Sequence, residues 1–451
     1  MTEHLPSRSQ LETLISLSTR SAKSKQKALV LGLPRRMTPV DSTNDTCNRN
    51  SFGLDGVLAC EYSKTPKTAI LRRPAKGVGQ PLSPALRMPT RYVYEDALGA
   101  RGQGELRFLK PAAVATLGGS RQETLIVSDT GNHRLQLLHP SGQMVRTIGG
   151  PTLTHADGRT ISPGLRYPMG VDSEDDGSTI IVSDMANHRI LRLRASDGAV
   201  LANVTSWQQT FGQVAQPLLR PRGLALHMQL WPPYGTLPIL FVAASGNNRI
   251  VTYALAPLSP ATIALPGVIA TASDARMIPL ISFGQSGNGA SDMAEPAGVC
   301  AGVLADAEFG FTTRVFVADP IHNRVQEWRF HPQLTNYEHV HNILGTEPAL
   351  FQRPSAVALL PAADRRAETS RLFVTESQAG RVQMLDANGH ALQVLVPPAR
   401  ATLERSNTRP LAGIGFARRR NADPSADSHR LVVAGGAGYN RLFVFRRERF
   451  A

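Results

Sequence analysis

From about residue 91 to the C-terminus one pattern of apolar and polar positions recurs. Each copy has an apolar pair, a short polar turn, an arginine, and a stretch in which apolar and polar residues alternate. Residues 126–138 read IVSDTGNHRLQLL and residues 181–193 read IVSDMANHRILRL. Weaker copies are FVAASGNNRIVTY (241–253), FVADPIHNRVQEW (316–328), FVTESQAGRVQML (373–385) and VVAGGAGYNRLFVF (432–445). The anchoring arginines are Arg134, Arg189, Arg249, Arg324, Arg381 and Arg441, at intervals of 55, 60, 75, 57 and 60 residues. A repeat at this period predicts an array of similar units.

Each unit divides into four strands. An Xaa-Pro loop comes first: Lys110-Pro111, Tyr167-Pro168, Arg220-Pro221, Glu295-Pro296, Arg353-Pro354 and Arg409-Pro410. Proline suits the first position of a strand, and the small residues after it suit the crowded centre of a radial array. The residue before the proline is expected to be extended. The apolar pairs that follow, such as Ile126-Val127 and Phe316-Val317, are apolar on both faces, as a strand between packed sheets requires. Asp129, Asp184 and Asp319 lead into the turn, where a short carboxylate accepts backbone N–H groups. Turn pairs Ser141-Gly142, Asp197-Gly198 and Asn388-Gly389 join the third strand to the fourth.

The pattern predicts an all-β chain: a six-bladed β-propeller of four-stranded blades over residues 91–451. The last repeat stops after its third strand, RLFVF (441–445), and RYVYEDALG (91–99) has the form of a fourth. The N-terminal strand is expected to pair there, which removes two exposed edges. Residues 1–90 lack sustained periodicity and are rich in Ser, Thr, Pro, Lys and Arg; a disordered, flexible basic tail is expected. Ser9 and Glu12 with Leu11, Leu14 and Ile15 form a local helix signal there, read as a transient or docking helix or part of a mitochondrial presequence.

Charge changes the picture modestly. The net charge is +14. Residues 1–90 hold 14 Lys and Arg against 6 Asp and Glu, leaving 35 against 29 for the rest. A basic excess favours nucleic acid, acidic proteins or anionic membranes without choosing among them. Three cysteines, Cys47, Cys60 and Cys300, build no disulfide framework and point to a reducing compartment. A cytoplasmic location is expected, with mitochondria as the alternative. No apolar run is long enough to span a bilayer.

These units resemble the NHL repeat, whose signature is an apolar pair, Asp, a turn, Asn-His-Arg and an apolar strand. Asp129, Asn132, His133 and Arg134 match it closely, as do Asp184, Asn187, His188 and Arg189. Asn247-Asn248-Arg249 and Asp319 with His322-Asn323-Arg324 match in part; repeats five and six keep little beyond their strands and Arg381 or Arg441. The resemblance implies structural roles for these signature residues. Family members include protein-binding adaptors, substrate receptors of ubiquitin ligases, single-stranded RNA binders and a zinc-dependent amidating lyase.

The candidate chemistry lies in loops. The Xaa-Pro loops line one mouth of the central channel and carry Lys110, Arg166, Arg220, Arg222, Arg353 and Arg409, with Glu295 the lone acid. A cationic ring at a concave mouth attracts anionic ligands; pairing of each arginine with a neighbouring blade is the competing structural reading. A second basic cluster (Arg365, Arg366, Arg371, then Arg418, Arg419, Arg420 and Arg430) is expected on the opposite face. Two insertions break the period, 226–238 and 254–280. Trp231 and Tyr234 in the first form an apolar tip for a protein partner or pack on the propeller's own flank. The Xaa-Pro loops lack histidine, and His339 with His341 lack a third metal ligand. No cofactor is implied. The expectation is a non-enzymatic, monomeric propeller that binds protein partners in a larger assembly. Single-stranded RNA or an acidic peptide at the mouth comes next, and a zinc lyase third.

Overall fold

A computed structural model describes residues 90–118, 124–210, 213–255, 277–346, 349–398, 410–418 and 429–449. The described residues form six four-stranded antiparallel blades. Blade one comprises Ala113–Leu117, Thr124–Asp129, Arg134–Leu138 and Met144–Gly149. Blade two comprises Pro168–Ser173, Thr179–Asp184, Arg189–Arg194 and Val200–Val204. Blade three comprises Pro221–Leu230, Thr236–Ala244, Arg249–Leu255 and Met277–Phe283. Blade four comprises Gly298–Asp306, Gly310–Asp319, Arg324–His331 and Asn336–Ile343. Blade five comprises Pro354–Leu360, Arg371–Glu376, Arg381–Asp386 and Ala391–Leu395.

Blade six joins both ends of the described chain. Its strands are Leu411–Arg418, His429–Gly435, Arg441–Arg449 and, outermost, Thr90–Leu98. Tyr94 lies opposite Phe445 and Leu98 opposite Leu442. The Tyr92 backbone exchanges two hydrogen bonds with the Gln393 side chain of blade five, at 2.9 and 2.7 Å. The buried Tyr92 ring meets Phe373 edge-on at 5.2 Å.

A single twisted sheet leaves two apolar faces, and the ring covers both. Six buried apolar clusters occupy the six blade-to-blade interfaces. Phe241, Phe316, Phe373 and Phe443 of the second and third strands are fully buried there, each contributing about 1.5–3 kcal/mol of burial. The first strand of every blade packs on the first strand of the next around the ring. Approach is close: a Cβ on Gly223 would lie 2.5 Å from the Ala297 carbonyl oxygen of blade four, so only glycine fits.

Two expectations change. Residues 226–238 are not a long loop; most of them lengthen the first two strands of blade three, joined by a tight turn after Leu230. Trp231 is accordingly no projecting tip. It is 6% exposed and stacks on Phe330 of blade four at 5.2 Å, because longer strands carry it against the neighbouring blade. Tyr234 is half-buried against the same cluster. The expectations for residues 1–89, Cys47, Cys60, Arg409, Arg419, Arg420 and most of 254–280 lie outside the described residues. Within the second basic cluster, Arg430 pairs with Glu95, and Arg371 donates to three carbonyls of its own loop.

Candidate functional site

The signature residues form one buried network per blade. In blade one, Asp129 Oδ2 accepts hydrogen bonds from Asn132 Nδ2 at 2.9 Å, Arg134 Nε at 2.8 Å and Gln136 Nε2 at 2.9 Å. Its Oδ1 accepts the Leu109 N–H at 2.8 Å. The carboxylate therefore grips the incoming Xaa-Pro loop, and caps no donor in the turn that follows it. Arg134 reaches on to the Gly104 and Arg107 carbonyls. Asp184 with Asn187 and Arg189, and Asp319 with His322 and Arg324, repeat the arrangement. A buried pair of this kind holds only when further hydrogen bonds support it; here Asp129 uses both oxygens and Arg134 bonds two carbonyls besides.

Blade five keeps the network through a residue that the sequence pattern missed. Glu376 replaces Asp, accepting from Arg381 Nε at 2.7 Å, Gln383 Nε2 at 2.9 Å and the Gln352 N–H at 2.7 Å. Its place five residues before the arginine was the available signal. Blades three and six carry Ala244 and Gly435 opposite their arginines. Arg249 and Arg441 therefore lack the carboxylate their signature role assumes, which corrects that expectation for both.

A second set of bonds ties each blade to the next. His133, His188, Asn248, Asn323 and Asn440 all sit in the left-handed region, with φ between 51° and 57°. Each side chain accepts the N–H of the residue before the proline of the following blade. His133 Nδ1 takes Tyr167 at 3.1 Å and His188 Nδ1 takes Arg220 at 3.0 Å. Asn248 takes Glu295 at 2.9 Å, Asn323 takes Arg353 at 2.8 Å, and Asn440 takes Lys110 at 2.8 Å across the ring closure. An accepting Nδ1 fixes both histidines as the neutral Nε2–H tautomer. In blade five the left-handed residue is Gly380, φ 65°, which has no side chain to accept. His133 and His188 are structural latches, and neither is drawn into a metal site.

The latched residues are themselves left-handed: Lys110, Tyr167, Arg220, Glu295 and Arg353 have φ of 46–54°. The expected extended backbone before proline is thus wrong here. The α region is closed to a pre-proline residue, and the latch selects the left-handed alternative. These five residues stand at the entry to the first strands of blades one to five. Lys110, Arg166, Tyr167, Arg220 and Arg353 are exposed. Arg220 and Glu295 pair across two blades at 2.9 Å.

Arg222 does not stand at the rim. It lines the narrow central channel among Ala112, Met169, Gly223, Ala297 and Ser355, the only charged side chain among the described residues of that wall. Burial lowers its pKa; nearby Glu295 opposes the shift, and Arg220 and Arg353 add to it. Three guanidinium groups therefore share one end of the channel with a single carboxylate. The remaining histidine candidates are occupied. His341 Nδ1 meets the buried Glu327 carboxylate at 3.0 Å, and His339 packs edge-on against Trp328. Among the described residues no group of three or more His, Cys, Asp or Glu is placed to hold a metal ion. Cys300 is buried, and burial raises its thiol pKa. No helix among the described residues is long and apolar enough to cross a membrane.

The fold and its networks define a six-bladed β-propeller built of NHL-type repeats. An NHL repeat-containing protein 2 from Gallus gallus is 37% identical over 71 residues, covering 16% of this chain and 10% of that protein. The match thus spans about a tenth of the relative's length. No family model matches the chain. Among solved structures, a catalytically inactive virginiamycin B lyase from Staphylococcus aureus with quinupristin is similar at 13% identity and TM-score 0.41, over 79% of this chain and 99% of that one. The calcium-binding protein regucalcin from Agrobacterium tumefaciens is similar at 11% identity and TM-score 0.42, over 79% and 96%. At the general level the NHL-type propeller supports a binding or adaptor role, and what such a fold does depends on the site it carries.

Proposed function

We propose that this protein is a non-enzymatic binding platform whose cationic channel mouth takes an acidic segment of a partner protein. One observation carries the reading. Lys110, Arg166, Arg220 and Arg353 are exposed around one mouth and Arg222 lies just inside it, against the single acid Glu295. The latches fix the backbone beneath Lys110, Arg220 and Arg353, so little ordering of the platform is needed on binding. Guanidinium groups pair with carboxylates through two parallel hydrogen bonds. A protein segment is favoured over single-stranded RNA because only Tyr167 supplies an exposed aromatic ring among the described rim positions, and single-strand binders stack bases on several.

The test uses the full chain, fluorescently labelled oligoglutamate and labelled oligouridine. Oligoglutamate is expected to bind, and Arg220→Ser/Arg222→Ser/Arg353→Ser to weaken it at least about tenfold, a loss of ~1.4 kcal/mol. Tighter oligouridine binding with a steep salt slope would favour the RNA reading. Unchanged binding in the triple variant would remove the mouth from consideration.

A further inference from the structure

Blade three breaks the repeat in a concerted way. Where blades one, two, four and five place Asp or Glu it has Ala244, and where blades one, four and five place Gln136, Gln326 and Gln383 it has Val251. The arginine stays. Arg249 therefore keeps a charge that its own blade no longer neutralises. Its guanidinium makes two long contacts, to the Asn247 carbonyl at 3.3 Å and Ser282 Oγ at 3.5 Å, and lies over the Trp207 ring at 4.4 Å. Burial lowers its pKa, and no carboxylate offsets that. A partly buried, unpaired charge is costly unless something pairs with it.

The same arginine opens onto a cavity. About 840 Å³ lies between the outer strands of blades three and four, within the range of small-ligand sites. Trp231, Phe283, Trp328 and Tyr337 form its apolar wall. All three tryptophans of the chain are thereby committed to this place, two in the wall and Trp207 beneath the guanidinium. Local rules broken together, next to a formed cavity, mark a site and not a defect.

We infer that this interblade cavity binds a small organic carboxylate with an apolar body, its carboxylate on Arg249 and its body against the Trp231–Trp328–Tyr337 wall. The ligand's carboxylate would take over the pairing with arginine that Asp or Glu makes inside blades one, two, four and five. A planar anion can take two guanidinium N–H groups at once, while the aromatic wall discriminates little among apolar bodies. The site lies on the flank of the ring, and its failure or success leaves the channel-mouth reading untouched.

Calorimetric titration of the full-length protein tests it with three acids, phenylpropionate, octanoate and indoleacetate, each against its uncharged primary amide. Saturable binding of at least one acid is expected, about tenfold or more tighter than its amide, as one charge-assisted pair implies. Arg249→Leu should abolish the preference for acid over amide. Ala244→Asp should rebuild the internal pair, lose acid binding, and hold or raise the thermal midpoint. Either variant alone suffices if the other does not fold. No saturation with any acid, equal affinity for acid and amide, or acid binding that survives in a folded variant overturns the assignment.

Discussion

Blades two and three start from nearly the same residues and use them differently. In blade two, Asp184 holds Asn187 and Arg189 and grips the Arg166 N–H; Arg189 is 5% exposed and bonds the Pro163 and Gly164 carbonyls as well. In blade three, Asn247 Oδ1 takes over the loop N–H, accepting Leu219 at 2.8 Å, so the Xaa-Pro loop stays anchored without the carboxylate. The arginine is then no longer needed for that task. One side chain is a structural tie in blade two and an available cation in blade three. Signature identity therefore does not establish the role of a residue; the partner does.

The sharpest way to break this comparison is to delete the carboxylate where it is used. Asp184→Ala leaves Arg189 buried and unpaired, and a loss of about 3–5 kcal/mol is expected. Arg249→Leu in blade three removes a charge with no internal carboxylate partner, and about 1 kcal/mol or less is expected. Urea unfolding followed by near-ultraviolet circular dichroism measures both. Equal losses would show that the blade-three arginine is as structural as its counterpart.

A pH series sharpens the contrast at the interface of the same two blades. Burial pushes the Asp172 carboxyl of blade two up to about 6, with the Leu226 and Ser173 N–H groups opposing. Burial holds His227 of blade three down to about 4. For the histidine the folded pKa lies below the unfolded 6.5; its contribution is present above 6.5 and is lost as pH falls toward 4. For the aspartate the folded pKa lies above the unfolded 3.8, so its contribution is present at low pH and lost as pH rises through about 6. The two slopes oppose each other in one window. Asp172→Asn is expected to make the protein lose stability on acidification, by at most about 3 kcal/mol, and His227→Gln to reverse the slope. Parallel curves for wild type and both variants would remove these groups as the source.

Much of this was legible in the chain because strands between packed sheets carry long apolar pairs at a fixed offset from an arginine. The blades and their turns follow from that spacing, whereas Asp129, Asp184 and Asp319, expected to accept N–H groups of the turn, instead hold the arginine. What escaped depends on contacts between blades, which a repeat pattern does not encode. Glu376 does the work of Asp with a longer side chain. Trp231 reads as a loop tip until the strands around it prove long enough to lay it on Phe330. The left-handed backbone before the five described prolines that open a blade is imposed by an acceptor some 30–47 residues earlier, or about 330 away across the closure.

The latches give the next smaller effect. Three of the five use Asn where the other two use His, so the acceptor and the left-handed backbone are what matter. His188→Ala removes an acceptor and puts alanine at φ 55°, together costing about 2 kcal/mol. His188→Asn should recover most of that, since Asn tolerates this conformation and presents its carbonyl as Asn248 does. Asn and Ala variants of equal stability would mean the contact contributes nothing.

The smallest effect is expected at the mouth, and its smallness is informative. Arg220 pairs with Glu295 at 2.9 Å, but both side chains are about half exposed, 52% and 45%. An exposed pair contributes on the order of 0–1 kcal/mol. The Arg220 backbone is held by His188 independently of its side chain, so Arg220→Ser should leave the latch in place and shift stability by no more than that. If the same variant also weakens oligoglutamate binding, the side chain serves recognition while the backbone serves the fold. A loss of several kcal/mol instead would place Arg220 with Arg189 among the structural ties, and the cationic rim would then be a consequence of how the blades are joined.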